Sequence, residues 1–143
     1  MQYLLNDIAA ILQQPMQGQR NAIIQYLVTD SRNIVDPTQS IFFAIKGPRR
    51  TGTSFIADVY QQGVRAFVID EPIDTSEFAE GVFFHVPNTI KALQTIAAYH
   101  RAKFSIPVIG ITGSNGKTIV KEWLYQLLQP DFNIVRSPRS YNS

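Results

Sequence analysis

The chain has 143 residues, 45% of them hydrophobic, which suits one compact core and leaves little room for two complete domains. Its 13 Lys and Arg against 11 Asp and Glu leave a formal charge of +2, too little for a one-signed field that gathers nucleic acid or coats a membrane. Without cysteine there are no disulfide frameworks, thiolate zinc sites or cysteine nucleophiles, and two histidines alone do not make a metal cluster.

The opening MQYLLNDIAAILQQ has no basic residue ahead of its apolar positions, and Asn6 and Asp7 interrupt them, so it makes a poor secretory signal. No apolar run approaches the roughly 20 residues that span a bilayer. A cytoplasmic chain without membrane insertion is expected. Leu4, Leu5, Ile8, Ala9 and Leu12 fall at helical spacing and predict a short amphipathic helix ending before Pro15. Residues 22–28, AIIQYLV, predict a strand, and TDSR at 29–32 follows it with turn and capping chemistry. Residues 41–45, IFFAI, predict the next strand, and KGPRRTGT after it reads as a loop.

Ser54 is placed to cap a helix through about residue 62, with Gly63 ending it, before AFVID at 66–70 gives a buried strand. GVFFHV at 81–86 gives another. Asn88 then caps a helix to about residue 103 that carries Ile90, Leu93, Ile96, Ala97 and His100 along one side. His85 and His100 read as structural. After Pro107 come a strand VIGIT, the loop GSNGKT, a helix from about 117 to 129 and a last strand at 133–137. Strands alternating with helices imply a mainly parallel α/β fold. The boundary is expected near Ser105, giving a domain over 1–104 and, over 105–143, the first β–loop–α–β unit of a second domain. One such unit cannot bury both faces of a parallel sheet, so that second domain reads as truncated.

The run IGITGSNGKTIVKEWL puts an apolar strand, a glycine loop and an amphipathic helix in the order that holds a nucleotide phosphate. Gly113 and Gly116 let backbone amides of the loop, Ser114 and Asn115 included, turn toward an anion, and the helix N-terminus adds free N–H donors. Lys117 would reach the β- and γ-phosphates, and the Thr118 hydroxyl would ligate Mg²⁺. The strict phosphate-loop pattern is not met, because Ile111 stands where the first glycine belongs and Gly110 comes one position early. An ordinary strand–turn–helix is the competing reading. TDSR supplies a carboxylate, a hydroxyl and a guanidinium at a strand end: Ser31 could bond a uracil edge or ribose, while Arg32 could pair with phosphate or brace Asp30. An Asx turn with a surface ion pair is the plainer account.

TGSNGKT followed by IVKEW resembles the ATP loop of the Mur ligase family, and the Lys-Glu after the loop looks most like its MurF type. The shorter glycine spacing is that family's own. DSR, then IFFAIKG, then SFIADVYQQGVRAFVID resembles the N-terminal UDP-sugar domain of MurE and MurF over nearly its whole length. That resemblance implies that Asp30, Ser31 and Arg32 line a uridine-diphosphate site, with Lys46 and Gly47 nearby. Ile119 stands where a hydroxyl residue is more common, and Thr51-Gly52-Thr53 where the family usually reads Asp-Gly-His. Arg49 and Arg50 are attractive phosphate ligands, although loop arginines are commonly just solvated. In the ending SPRSYNS, Asn142 matches an asparagine that approaches substrate in the family, with a frayed terminus as the competing account.

The implied parent protein uses ATP and Mg²⁺ to join D-alanyl-D-alanine to UDP-N-acetylmuramoyl-tripeptide through an acyl phosphate, in peptidoglycan synthesis. The RSYNS ending and the KEW helix look most like MurF proteins that in some bacteria are fused to an alanine racemase. The alternatives are a MurE-type ligase adding the third amino acid and a non-catalytic nucleotide-sugar binding module. A small phosphate-loop kinase would need a complete sheet and lid.

Overall fold

The structure, a computed structural model, describes residues 2–18, 21–47 and 51–137. Arg49, Arg50 and Asn142 lie outside the described residues. The chain divides into two compact units, Met1–Phe104 and Ser105–Ser143. The first contains β1 (Tyr3–Leu4), α1 (Leu5–Leu12), β2 (Met16–Gln17), β3 (Ile23–Ile24), β4 (Tyr26–Val28), β5 (Ser40–Phe43), α2 (Ile56–Gln61), β6 (Ala66–Ile69), β7 (Val82–His85) and α3 (Thr89–Arg101). The second contains α4 (Lys117–Leu128).

A five-stranded sheet in the order β2-β7-β6-β5-β4 organises the first unit, with a two-stranded sheet β1-β3 beside it. Within the five-stranded sheet β4, β5, β6 and β7 run parallel, and β2 is antiparallel to β7. The mainly parallel α/β expectation holds.

Strand side chains alternate between faces, and here both faces are buried. Ile41, Phe43, Ala66, Val68, Val82 and Phe84 pack with Leu5 and Ile8 of α1 and Ala92 and Ile96 of α3. Phe42, Ala44, Phe67, Ile69 and Phe83 pack on the other side with Ile56 and Val59 of α2. This is why the strands read as near-continuous apolar runs.

Several local expectations change. The strand over 22–28 is two strands in two sheets: β3 pairs antiparallel with β1, whereas β4 joins the large sheet beside β5. Gln25 between them donates its backbone N–H to the Gln39 carbonyl at 2.8 Å, and this long-range bond marks the break. Ser54 does not cap α2. It lies inside a 3-10 turn, Gly52–Phe55, and its hydroxyl donates to the Thr51 carbonyl at 2.7 Å, so the α-helix starts two residues later. Gly63 ends that helix as expected, with φ of +104°.

Asn88 caps α3, its side chain accepting the Lys91 N–H at 2.8 Å, a bond worth about 1 kcal/mol. The buried stripe of α3 is Thr89, Ala92 and Ile96, while Ile90 and Ala97 face solvent. His100 is structural in its contacts: its Nδ1 hydrogen-bonds the Tyr3 hydroxyl at 3.0 Å.

In the second unit neither 108–112 nor 133–137 forms a strand, so the expected β–loop–α–β unit reduces to loop and helix. A strand needs a hydrogen-bonding neighbour, and a parallel one needs cover on both faces. Val108, Ile109 and Val135 have neither and are exposed, Val135 at 96%.

Candidate functional site

Parallel strands deliver the segments that follow them to one edge of the sheet, where α/β folds hold ligands. β4 ends at Val28 and leads into Thr29, Asp30, Ser31 and Arg32. β5 ends at Phe43 and leads, through Ala44 and Ile45, into Lys46 and Gly47. β6 ends at Ile69 and leads into Asp70 and Glu71. With Val28 opposite Phe42 and Phe43 opposite Val68, the sheet brings these segments to a common edge. The residues inferred from the two sequence segments thus share one edge although 14 residues separate Arg32 from Lys46.

Within TDSR, Asp30 organises the turn. Its Oδ1 accepts the Arg32 backbone N–H at 3.0 Å and Arg32 Nε at 2.9 Å, and its Oδ2 accepts a terminal guanidinium nitrogen at 2.7 Å. Of the two roles open to Arg32, bracing Asp30 is the one seen. The Arg32 hydrogen bonds, with its charge, hold the Asp30 carboxyl down at about 2. Being an exposed pair, it adds little stability, but it fixes the guanidinium in one orientation. The Arg32 side chain stays 84% exposed, which leaves the N–H groups that Asp30 does not use as donors open to solvent. Gln62, the residue that follows α2, ties into the turn: its Nε2 donates to the Ser31 carbonyl at 3.3 Å. The Ser31 hydroxyl has no hydrogen bond among the described residues.

Lys46 Nζ donates to Glu71 Oε1 at 3.0 Å. Thr53 Oγ1 donates to the second oxygen, Oε2, at 3.4 Å and lies 3.2 Å from the Thr51 hydroxyl. Glu71 raises the Lys46 pKa through this bond and through its charge, with a smaller contribution from Asp70. Asp70 itself accepts the Thr89 N–H and hydroxyl, both at 3.1 Å, tying the end of β6 to the start of α3.

Gly52 lets the segment carrying Thr51 and Thr53 lie against β5. A Cβ at Gly52 would fall 2.0 Å from the Ala44 carbonyl carbon. Sequence reasoning passed over Glu71 and Asp70. Two carboxylates directly after a buried strand were the available signal.

In the second unit, Gly113 has φ of +145° and Gly116, the residue before α4, φ of +79°. L side chains avoid both conformations. Lys117 folds back over the loop, its Nζ donating to the Gly113 carbonyl. Ser114, Asn115 and Thr118 are exposed. The start of α4 carries the positive end of the helix dipole, which suits an anion. A hydroxyl one residue after the loop lysine, beside that helix start, fits a hard cation such as Mg²⁺, which takes oxygen ligands.

No protein-family model matches the chain. The chain is 36% identical over 120 residues to the UDP-N-acetylmuramoyl-tripeptide–D-alanyl-D-alanine ligase of Synechocystis, an alignment covering 84% of this chain and 26% of that ligase. Among solved structures, MurF from Acinetobacter baumannii superposes with a TM-score of 0.78 at 30% identity, over 92% of this chain and 28% of that one. MurF ligase from Thermotoga maritima in complex with ADP gives 0.71 at 30% identity, over 82% of this chain and 26% of that one. The chain therefore spans about a quarter of the length of the proteins it matches.

Proposed function

We propose that this chain, which belongs to the Mur ligase family and is of its MurF type, binds the uridine end of a UDP-N-acetylmuramoyl peptide at the carboxyl edge of its parallel sheet and carries the phosphate loop of the ligase's ATP site. The observation that carries this reading is the convergence of TDSR and Lys46-Gly47 on one sheet edge, in a chain similar in sequence and fold to MurF ligases. Ser31 offers its hydroxyl to the uracil or ribose. Arg32, held by Asp30, presents its remaining N–H groups to the diphosphate. Lys46 and Gly47 complete that edge with an ammonium and an open backbone.

For the whole ligase, the γ-phosphoryl group of ATP passes to the terminal carboxylate of the peptide, giving ADP and an acyl phosphate. The amine of D-alanyl-D-alanine then attacks the acyl carbon, the amide bond forms and inorganic phosphate leaves. Gly113, Ser114, Asn115 and Gly116 supply backbone N–H groups to the phosphates, and Lys117 offsets the charge that develops in transfer. The Thr118 hydroxyl would hold Mg²⁺, which would supply positive charge to offset that of the phosphates. The substrates, two nucleotides and a dipeptide, are all water-soluble, which suits a cytoplasmic reaction. The 143 residues alone perform neither step, because transfer needs a closed site with more charge compensation than Lys117 and Thr118 give.

The test is calorimetric titration of UDP-N-acetylmuramic acid into the chain. Arg32→Ala removes a charge-assisted contact, so binding should weaken roughly ten- to a hundredfold. Ser31→Ala should weaken it by up to about tenfold, and Lys117→Ala should leave it unchanged. Equal affinity of the wild type and Arg32→Ala would return TDSR to a turn with a surface ion pair.

A further inference from the structure

The Lys46–Glu71 pair does not follow from anything the anion site needs, because a carboxylate beside a diphosphate repels it. Its geometry is nonetheless specific. Glu71 sits two residues past β6, a strand whose four residues are all buried, and its side chain is only 33% exposed. One carboxylate oxygen takes the Lys46 ammonium and the other the Thr53 hydroxyl, whose own backbone is fixed by the close approach of Gly52 to Ala44. Lys46 is the more exposed partner, its side chain 67% exposed and its ammonium at the end of a four-carbon stem.

We propose that Glu71 tempers the preference of this edge for diphosphate-bearing ligands over neutral ones by holding the Lys46 ammonium in an ion pair that an arriving diphosphate must break. This rests on the reading of the edge as a UDP-sugar site. The fixed carboxylate competes for the ammonium, so a diphosphate gains less from Lys46 than it would from an unpaired ammonium. Contacts to the uracil and ribose are untouched by that exchange. Glu71 therefore acts through Lys46 to set how strongly the edge favours a phosphorylated ligand over its neutral nucleoside, and Thr53 donates to the other carboxylate oxygen.

The experiment compares the wild type, Glu71→Gln, Lys46→Ala and the double variant, with UDP and with uridine as probes, at low and high salt. Glu71→Gln keeps the shape and the hydrogen bond from Thr53 while removing the charge. UDP affinity should rise about three- to fivefold at low salt, the scale of an exposed ion pair, and the gain should shrink as salt screens it. Uridine affinity should not change, and in the Lys46→Ala background at least half of the gain should vanish.

Unchanged or weaker UDP binding by Glu71→Gln overturns the proposal, as does an equal gain for uridine or a full gain without Lys46. If the wild type binds UDP and Arg32→Ala impairs it while Glu71→Gln changes nothing, this inference alone fails. If none of the proteins binds UDP, the uridine-site reading fails with it.

Discussion

Gly52→Ala should lower the stability of the first unit by more than about 3 kcal/mol, the upper end of what overpacking costs. The reason is space and not backbone conformation, since Gly52 is not among the residues with positive φ. The new methyl group would stand 2.0 Å from the Ala44 carbonyl carbon, 2.3 Å from its oxygen and 2.4 Å from the Ile45 nitrogen. All three are backbone atoms of the segment just past β5, so no side chain can swing aside. Either the 3-10 turn lifts off the sheet or β5 shifts against β6. Gly63→Ala provides the contrast: its φ is +104°, but the nearest side-chain atom is 3.3 Å away. Its cost should be only the roughly 1–2 kcal/mol of a left-handed backbone. Urea unfolding followed by circular dichroism measures both, and Gly52→Ala should lower the midpoint by more than about 1 M. A smaller effect for Gly52→Ala than for Gly63→Ala would mean that the turn is not packed on β5 as described.

Phe67→Ala should cost roughly 3–5 kcal/mol. Phe67 is completely buried in the middle of β6 and stacks on Phe83 with ring centroids 5.0 Å apart and planes 16° from parallel. Tyr60 of α2 closes the cluster at 6.4 Å. Removing the ring leaves a cavity between the sheet and α2 and loses an aromatic pair worth about 0.5–1.5 kcal/mol beyond its area. Because β6 pairs with both β5 and β7, the cavity cannot collapse without moving three strands. Val35→Ala, at a position 75% exposed, should stay within about 0.5 kcal/mol of the wild type. Calorimetric melting should put Phe67→Ala at least about 12 °C below the wild type. A loss under about 1 kcal/mol would contradict the assignment of this face as core.

How far the sequence reveals the fold depends on whether the deciding contact is local. Helix α1, the cap at Asn88 and the stop at Gly63 are encoded within a few residues, and all three are readable. The strands AFVI and VFFH are readable because burial on both faces makes them apolar throughout. The break at Gln25 is not, because its cause is a bond to Gln39 in a different element. The stripe of α3 is ambiguous in the same way: Ile90 and Ala97 are as apolar as Ala92, and packing against α1 and the sheet decides which side turns inward. Residues 108–112 have strand composition, but composition cannot supply a neighbour to pair with.

The candidate site divides along the same line. TDSR at a strand end and glycines before a helix are local patterns. The sequence leaves Arg32 two roles, and the contact with Asp30 is the one the geometry displays. The Glu71 bonds reach back 18 residues to Thr53 and 25 to Lys46, so the local sequence marks the carboxylate after its strand but not its partners.

The central claim is that the carboxyl edge of the parallel sheet receives the uridine diphosphate, and amide chemical-shift mapping tests it most directly. Uniformly ¹⁵N-labelled chain titrated with UDP-N-acetylmuramic acid should show its largest shifts at 29–32, 44–47 and 70–71, which leave β4, β5 and β6 at that edge. Amides at the opposite ends of the same strands, and those of 113–118, should move little. Shifts concentrated on 113–118, or spread evenly over the surface with the 29–32 turn unmoved, would contradict it.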